Sequence, residues 1–155
     1  MKMKFMKAAI KAALEGMNNN EGGPFGCVVV KNGEIIGRGN NKVTSTNDPT
    51  AHAEVIAIRE ACNILNTFQL KGCEIYTTCE PCPMCLGAIY WARPEKVYFG
   101  SNQIDAANIG FDDEFIYKEI SLPYSKRSIP FEQLGRDIAL EAFIKWSEKE
   151  GKTKY

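Results

Sequence analysis

The sequence predicts an α/β domain with helices on both faces of one sheet. Three observations carry that expectation: an amphipathic start, a hairpin signal at Asn32-Gly33, and an alternation of helical and strand-like stretches beyond it. Phe5, Ala9 and Ala13 recur at the helical spacing beside Met6, Ile10 and Leu14, so the chain opens on a helix with one apolar face. Asn18-Asn19-Asn20-Glu21-Gly22-Gly23 closes it with turn-forming residues. Cys27–Lys31 and Glu34–Gly39 flank Asn32-Gly33, a pair suited to the positive φ angles of a tight hairpin. Asp48-Pro49 then announces a helix over about Thr50–Leu65, with Asp48 as its cap and Pro49 at its first position. Cys73–Thr78 reads as a strand, Pro83–Trp91 as a short helix stopped by Pro94, and Val97–Phe99 as a further strand. The stretch from Ser101 to Pro130 is polar and irregular, with one helical turn near Asp112–Ile116. A last helix covers about Asp137–Ser147.

Composition narrows the function. The chain has 155 residues, 45% of them hydrophobic and 25% charged, which fits one globular domain, residues 1–155, without a linker or repeat. Nineteen basic residues balance nineteen acidic ones. A protein dedicated to polyanions usually carries a basic excess, so nucleic-acid binding is disfavoured. No apolar run reaches the roughly 18 residues of a membrane helix. Lys2, Lys4, Lys7 and Lys11 interrupt the N-terminus, unlike a secretory signal. A cytoplasmic location is expected, and there six cysteines point to metal or catalytic use rather than disulfides. Cys27, Cys62 and Cys73 lie in apolar stretches and read as small core residues.

The chemistry-bearing residues are His52-Ala53-Glu54 and, 28 positions after Glu54, Cys82-Pro83-Met84-Cys85. Two cysteines three apart on a first helical turn emerge on one side, and the helix N-terminus favours their thiolate form. Two thiolates and a neutral imidazole make three protein ligands for Zn²⁺ and leave a position open, as in catalytic rather than structural sites. His52 is the only histidine, so a closed structural site would need Cys79 as its fourth ligand. Glu54, two residues beyond His52, diverges from it by roughly 200° on a helix and is expected to carry protons rather than to bind metal.

The order His-Ala-Glu, then Pro-Cys-x-x-Cys, resembles the cytidine-deaminase-like family of zinc deaminases. The resemblance spans nearly the whole chain and is densest over residues 45–54, 79–94 and 105–120. The first two stretches identify the family; the third, with Ile89-Tyr90-Trp91, looks like its guanine-acting branch. The resemblance implies a three-layer α/β/α sandwich on a mixed five-stranded sheet and one zinc per subunit, held by His52, Cys82 and Cys85. It implies Glu54 as the catalytic proton carrier. It implies a homodimer whose C-terminal segment, about residues 135–155, crosses to the partner. By the same resemblance Asn41 bonds the carbonyl side of a purine, Phe25 stacks on its ring, and Asp113 meets ring N–H groups. Ala53 is among the substrate-binding residues, Trp91 helps wall the pocket, and the ring and terminal carboxylate of Tyr155 reach it. Taken without the resemblance, Asn41 could be a turn residue, Phe25 and Trp91 core aromatics, Asp113 a cap and Tyr155 a frayed end. Three rival readings stand beside guanine. They are a transfer-RNA adenosine deaminase, a deaminase of cytosine or another small base, and a zinc-stabilised interaction module.

Overall fold

The computed structural model describes residues 2–155, and the chain divides into two compact units, Met1–Glu114 and Phe115–Tyr155. The first holds α1 (Met3–Asn18), β1 (Gly26–Lys31), β2 (Glu34–Asn40) and α2 (Val43–Thr46). There follow α3 (Ala53–Leu65), β3 (Cys73–Cys79), α4 (Pro83–Ala92), β4 (Lys96–Ser101) and α5 (Gln103–Ala107). The strands form one mixed sheet in the order β2-β1-β3-β4. β1 runs antiparallel to β2 and β3, and β3 runs parallel to β4. Asn32 and Gly33 both have positive φ, 51° and 81°, so the hairpin turns as its sequence predicts.

β1 is buried on both faces, and its alternation divides the core in two. Val28 and Val30 join Phe5 and Ala9 of α1 and Tyr76 of β3 on one face. Cys27 and Val29 join Ala53, Ala57 and Ala61 of α3 and Ile89 and Ala92 of α4 on the other. The expected three layers are therefore present. Cys27 and Cys73 are fully buried core residues, and Cys62 packs against the same cluster, as their apolar settings suggest.

The sheet has four strands among the described residues, not five. After Ser101 the chain turns at once into α5, because Asn102 and Asp105 form a reciprocal capping box: Asn102 Oδ1 accepts from the Asp105 N–H, and Asp105 Oδ2 from the Asn102 N–H. Beyond α5 the described residues form helices and irregular connections and no fifth strand. The helix carrying His52 also starts later than predicted, at Ala53 rather than Thr50. Asp48 Oδ1 accepts from both the Thr50 N–H (2.8 Å) and the Thr50 hydroxyl (2.7 Å), which closes a local turn instead of capping the helix. Two glycines of β2 let α3 lie close to the sheet: a Cβ at Gly39 would run into the Ala53 carbonyl, and one at Gly37 into the Ala57 carbonyl. That approach fixes the start of α3.

In the second unit, α6 (Glu114–Ser121, which begins at the boundary) is followed by a 3₁₀ turn at Tyr124–Lys126 and by α7 (Arg136–Glu148). Glu119 Oε2 accepts from the Ser128 N–H at 2.8 Å, and Arg127 lies over the stacked rings of Tyr124 and Phe131. None of residues 115–155 is buried, and Leu134, Ile138 and Phe143 are largely exposed. No helix among the described residues is long and apolar enough to cross a membrane.

Candidate active site

Two helix N-termini converge beneath one cavity. His52 is the N-cap of α3 and Cys82 the N-cap of α4; both have extended backbone, and neither makes a side-chain capping hydrogen bond. Pro83 occupies the first turn of α4, where a missing N–H costs nothing. Cys85 follows in that turn and is fully buried, while His52 and Cys82 are half-buried. The partial positive charge at both helix starts favours anionic side chains here.

The donor geometry fits zinc. Bond lengths of about 2.0–2.1 Å to imidazole and 2.3 Å to thiolate, at tetrahedral angles, set N···S edges near 3.6 Å. His52 Nδ1 lies 3.6 Å from Cys82 Sγ and 3.5 Å from Cys85 Sγ, and all three ligand atoms fall within 4.8 Å of one another. The hydrogen bond from Cys85 draws the Cys82 thiol well below its ordinary value, while the same bond and burial push Cys85 up. His52 is raised by its bond to Cys82, against the cost of burial. Cys79 stands outside the cluster, its Sγ 3.6 Å from the Asn102 carbonyl, and burial pushes its thiol up to about 11. Among the described residues three protein ligands converge, not four.

Glu54, in the first turn of α3, is buried beside the cluster without belonging to it. Its Oε1 accepts from the Thr77 hydroxyl at 2.9 Å, and its Oε2 lies 3.4 Å from Cys85 Sγ. Burial raises the carboxyl above its ordinary value; its own backbone N–H, Thr77 and Cys85 oppose that by hydrogen bonding.

A cavity of about 440 Å³ opens above these residues, and it brings together His52, Glu54, Cys82, Asn41, Phe25 and Asp113. The Asn41 orientation is set by its neighbours. Its Oδ1 accepts from the Gly23 and Val43 backbone N–H groups, both at 3.2 Å, which leaves its NH₂ as the group it can offer to a ligand. Phe25 meets Phe111 edge to face, with centroids 4.9 Å apart. Asp113 is raised by burial and by the charge of Cys82, while Asp112, not Asp113, accepts from the Glu114 N–H at the start of α6. Ala53 does not line the cavity; its methyl is fully buried in the core against β2. Trp91 does not line it either, because α4 turns Ile89 and Ala92 inward and leaves Trp91 64% exposed. Tyr155 lies in the second unit and is exposed.

Sequence reasoning missed Phe111, Gln103 and Thr44 as cavity residues. Phe111 stands next to Gly110, whose φ of 91° turns the chain there, and that glycine was the available signal.

The chain belongs to the cytidine and deoxycytidylate deaminase family, whose zinc-binding region its residues 1–101 match. Over 151 residues, 97% of each chain, it is 55% identical to the guanine deaminase of Bacillus subtilis. The crystal structure of guanine deaminase from that organism superposes with a TM-score of 0.96 at 54% identity, covering 99% of this chain and 98% of the other. A transfer-RNA-specific adenosine deaminase of Aquifex aeolicus is 48% identical over 97 residues, 63% of this chain and 64% of the relative. That likeness to the RNA-acting enzyme covers less of the chain than the likeness to the guanine-acting one.

Proposed function

We propose that this chain is a zinc-dependent hydrolase that converts guanine and water to xanthine and ammonia. The observation that carries the substrate is the fixed Asn41 amide, which can only donate toward a ligand and so matches a purine carbonyl. The likeness to a guanine deaminase over 97% of the chain supports the same reading. Zinc held by His52, Cys82 and Cys85 supplies Lewis-acid activation of a water, lowering its pKa toward about 7.

The chain's own residues do the rest. Phe25 stacks on the purine, Asn41 donates to its carbonyl and Asp113 accepts from ring N–H groups. Glu54 takes a proton from the attacking water and gives it to ring N3 as the water oxygen bonds to C2. It then carries the second water proton to the exocyclic amine, the C2–N bond breaks, and ammonia leaves. Both protons of the water are accounted for, one on N3 and one on ammonia. With zinc-loaded protein, ammonia release from guanine is expected to exceed release from adenosine, cytosine and transfer RNA by at least about a hundredfold in kcat/KM, a gap built-in hydrogen-bond recognition can deliver. Transfer RNA turning over fastest would overturn the assignment.

In this reading residues 1–155 form one functional deaminase, active in the cytoplasm as a homodimer, with the segment from about 135 lent to the partner. The exposed apolar side chains of α7 support that use, since an uncovered apolar face favours a partner. Tyr155 then completes the partner's site. Deleting the last five residues is expected to lower kcat/KM at least about tenfold with zinc retained; truncation of a positioning contact costs at this scale. Sedimentation of the full chain as a monomer, with full activity after truncation, would refute the arrangement.

A further inference from the structure

We propose that Thr77 is a positioning residue for Glu54 and that it divides the two carboxylate oxygens between separate tasks; this rests on the proton-carrying role given to Glu54 above. Thr77 sits inside β3, paired to Cys27 on β1 and Phe99 on β4, so strands hold its backbone on both sides. It shares the face of Cys73 and Ile75, toward α3 and α4, and it is 1% exposed. A buried β-branched residue on a central strand has a stiff side chain, and its hydroxyl has one proton to give. That proton goes to Glu54 Oε1 at 2.9 Å.

A free carboxylate turns easily about its last bond, because that torsion has no deep staggered wells. The bond from Thr77 restrains Oε1, beside the contacts that the carboxylate receives from its own backbone N–H and from Cys85. It directs Oε1 at the sheet and leaves Oε2, 3.4 Å from Cys85 Sγ, on the side of the ligand cluster. Oε2 is therefore the oxygen that takes and returns protons, and Oε1 is the fixed one. No sequence motif singles out Thr77: it reaches Glu54 from 23 residues away through the register of β3.

The test compares Thr77→Val, which keeps the shape and removes the donor, with Thr77→Ser, which keeps the donor. Thr77→Val is expected to lower kcat on guanine between about tenfold and a hundredfold with KM within about twofold, the pattern of a lost alignment in the chemical step. Thr77→Ser stays within about threefold of wild type, zinc content remains at one per chain in both, and a crystal structure of Thr77→Val shows the Glu54 carboxylate turned from its wild-type rotamer. In a Glu54→Gln background, Thr77→Val adds no further loss, since it acts only through Glu54. If the valine variant fails to load zinc, Thr77→Ala carries the same comparison. Wild-type kcat in the variant, an unmoved Glu54, or losses that add in the double mutant would each overturn the inference. A wild-type protein inert toward guanine would instead overturn the function proposed above.

Discussion

Glu54→Gln is expected to reduce kcat on guanine by about a thousandfold, within the range of about 10² to 10⁴ that general acid–base catalysis supplies. The substitution preserves shape, and its Oε1 still accepts the Thr77 hydroxyl, so the fold and the cavity stay intact. What disappears is an oxygen able to hold a proton. In the proposed mechanism both water protons pass through this one group and Asp113, which also lines the cavity, is assigned to the ring, so no second residue takes over. The measurement is ammonia release with zinc content determined on the same sample. Near-normal turnover in a fully metallated variant would remove Glu54 from the chemistry.

Cys85→Ser is expected to cut bound zinc from one per chain to below about a tenth, with activity falling in proportion. An alkoxide does not form at neutral pH as a thiolate does, and only two of three ligands remain. Cys85 is fully buried and central: it touches His52 Nδ1 and Glu54 Oε2 as well as pairing with Cys82. A chelator acting on the wild-type protein gives the same activity loss, reversed by adding zinc. Atomic absorption on dialysed protein reads the result, and full zinc occupancy in Cys85→Ser would show that the metal is held elsewhere.

The legible part of the site was the part written locally. His52, Cys82 and Cys85 carry their meaning in spacing, and convergence of two helix starts is what that spacing needed. The helix order and the hairpin were equally local, since Asn32-Gly33 fixes its turn by backbone preference alone. α3 starts later than its sequence predicts because Asp48 spends its carboxylate oxygen on the N–H and hydroxyl of Thr50. The cap position passes to His52. The fifth strand failed for a related reason: Asn102-Gln103-Ile104-Asp105 is itself a capping signal that turns the chain into α5. Thr77 and Phe111 were out of reach because their roles depend on strand register and on where a glycine turns the chain. Trp91, which the resemblance assigns to the pocket wall, stands exposed on α4 outside the cavity of the single chain.

Two of the zinc ligands stand where stability alone would choose otherwise. Ser or Asp at an N-cap contributes about 1 kcal/mol by satisfying an orphan backbone N–H, and positions 52 and 82 are both N-caps without such a bond. A chain carrying serine at those two positions would have firmer helix starts and no metal. Selection for a sturdier fold therefore pulls directly against the reaction at these two residues, and the native chain sits on the side of chemistry.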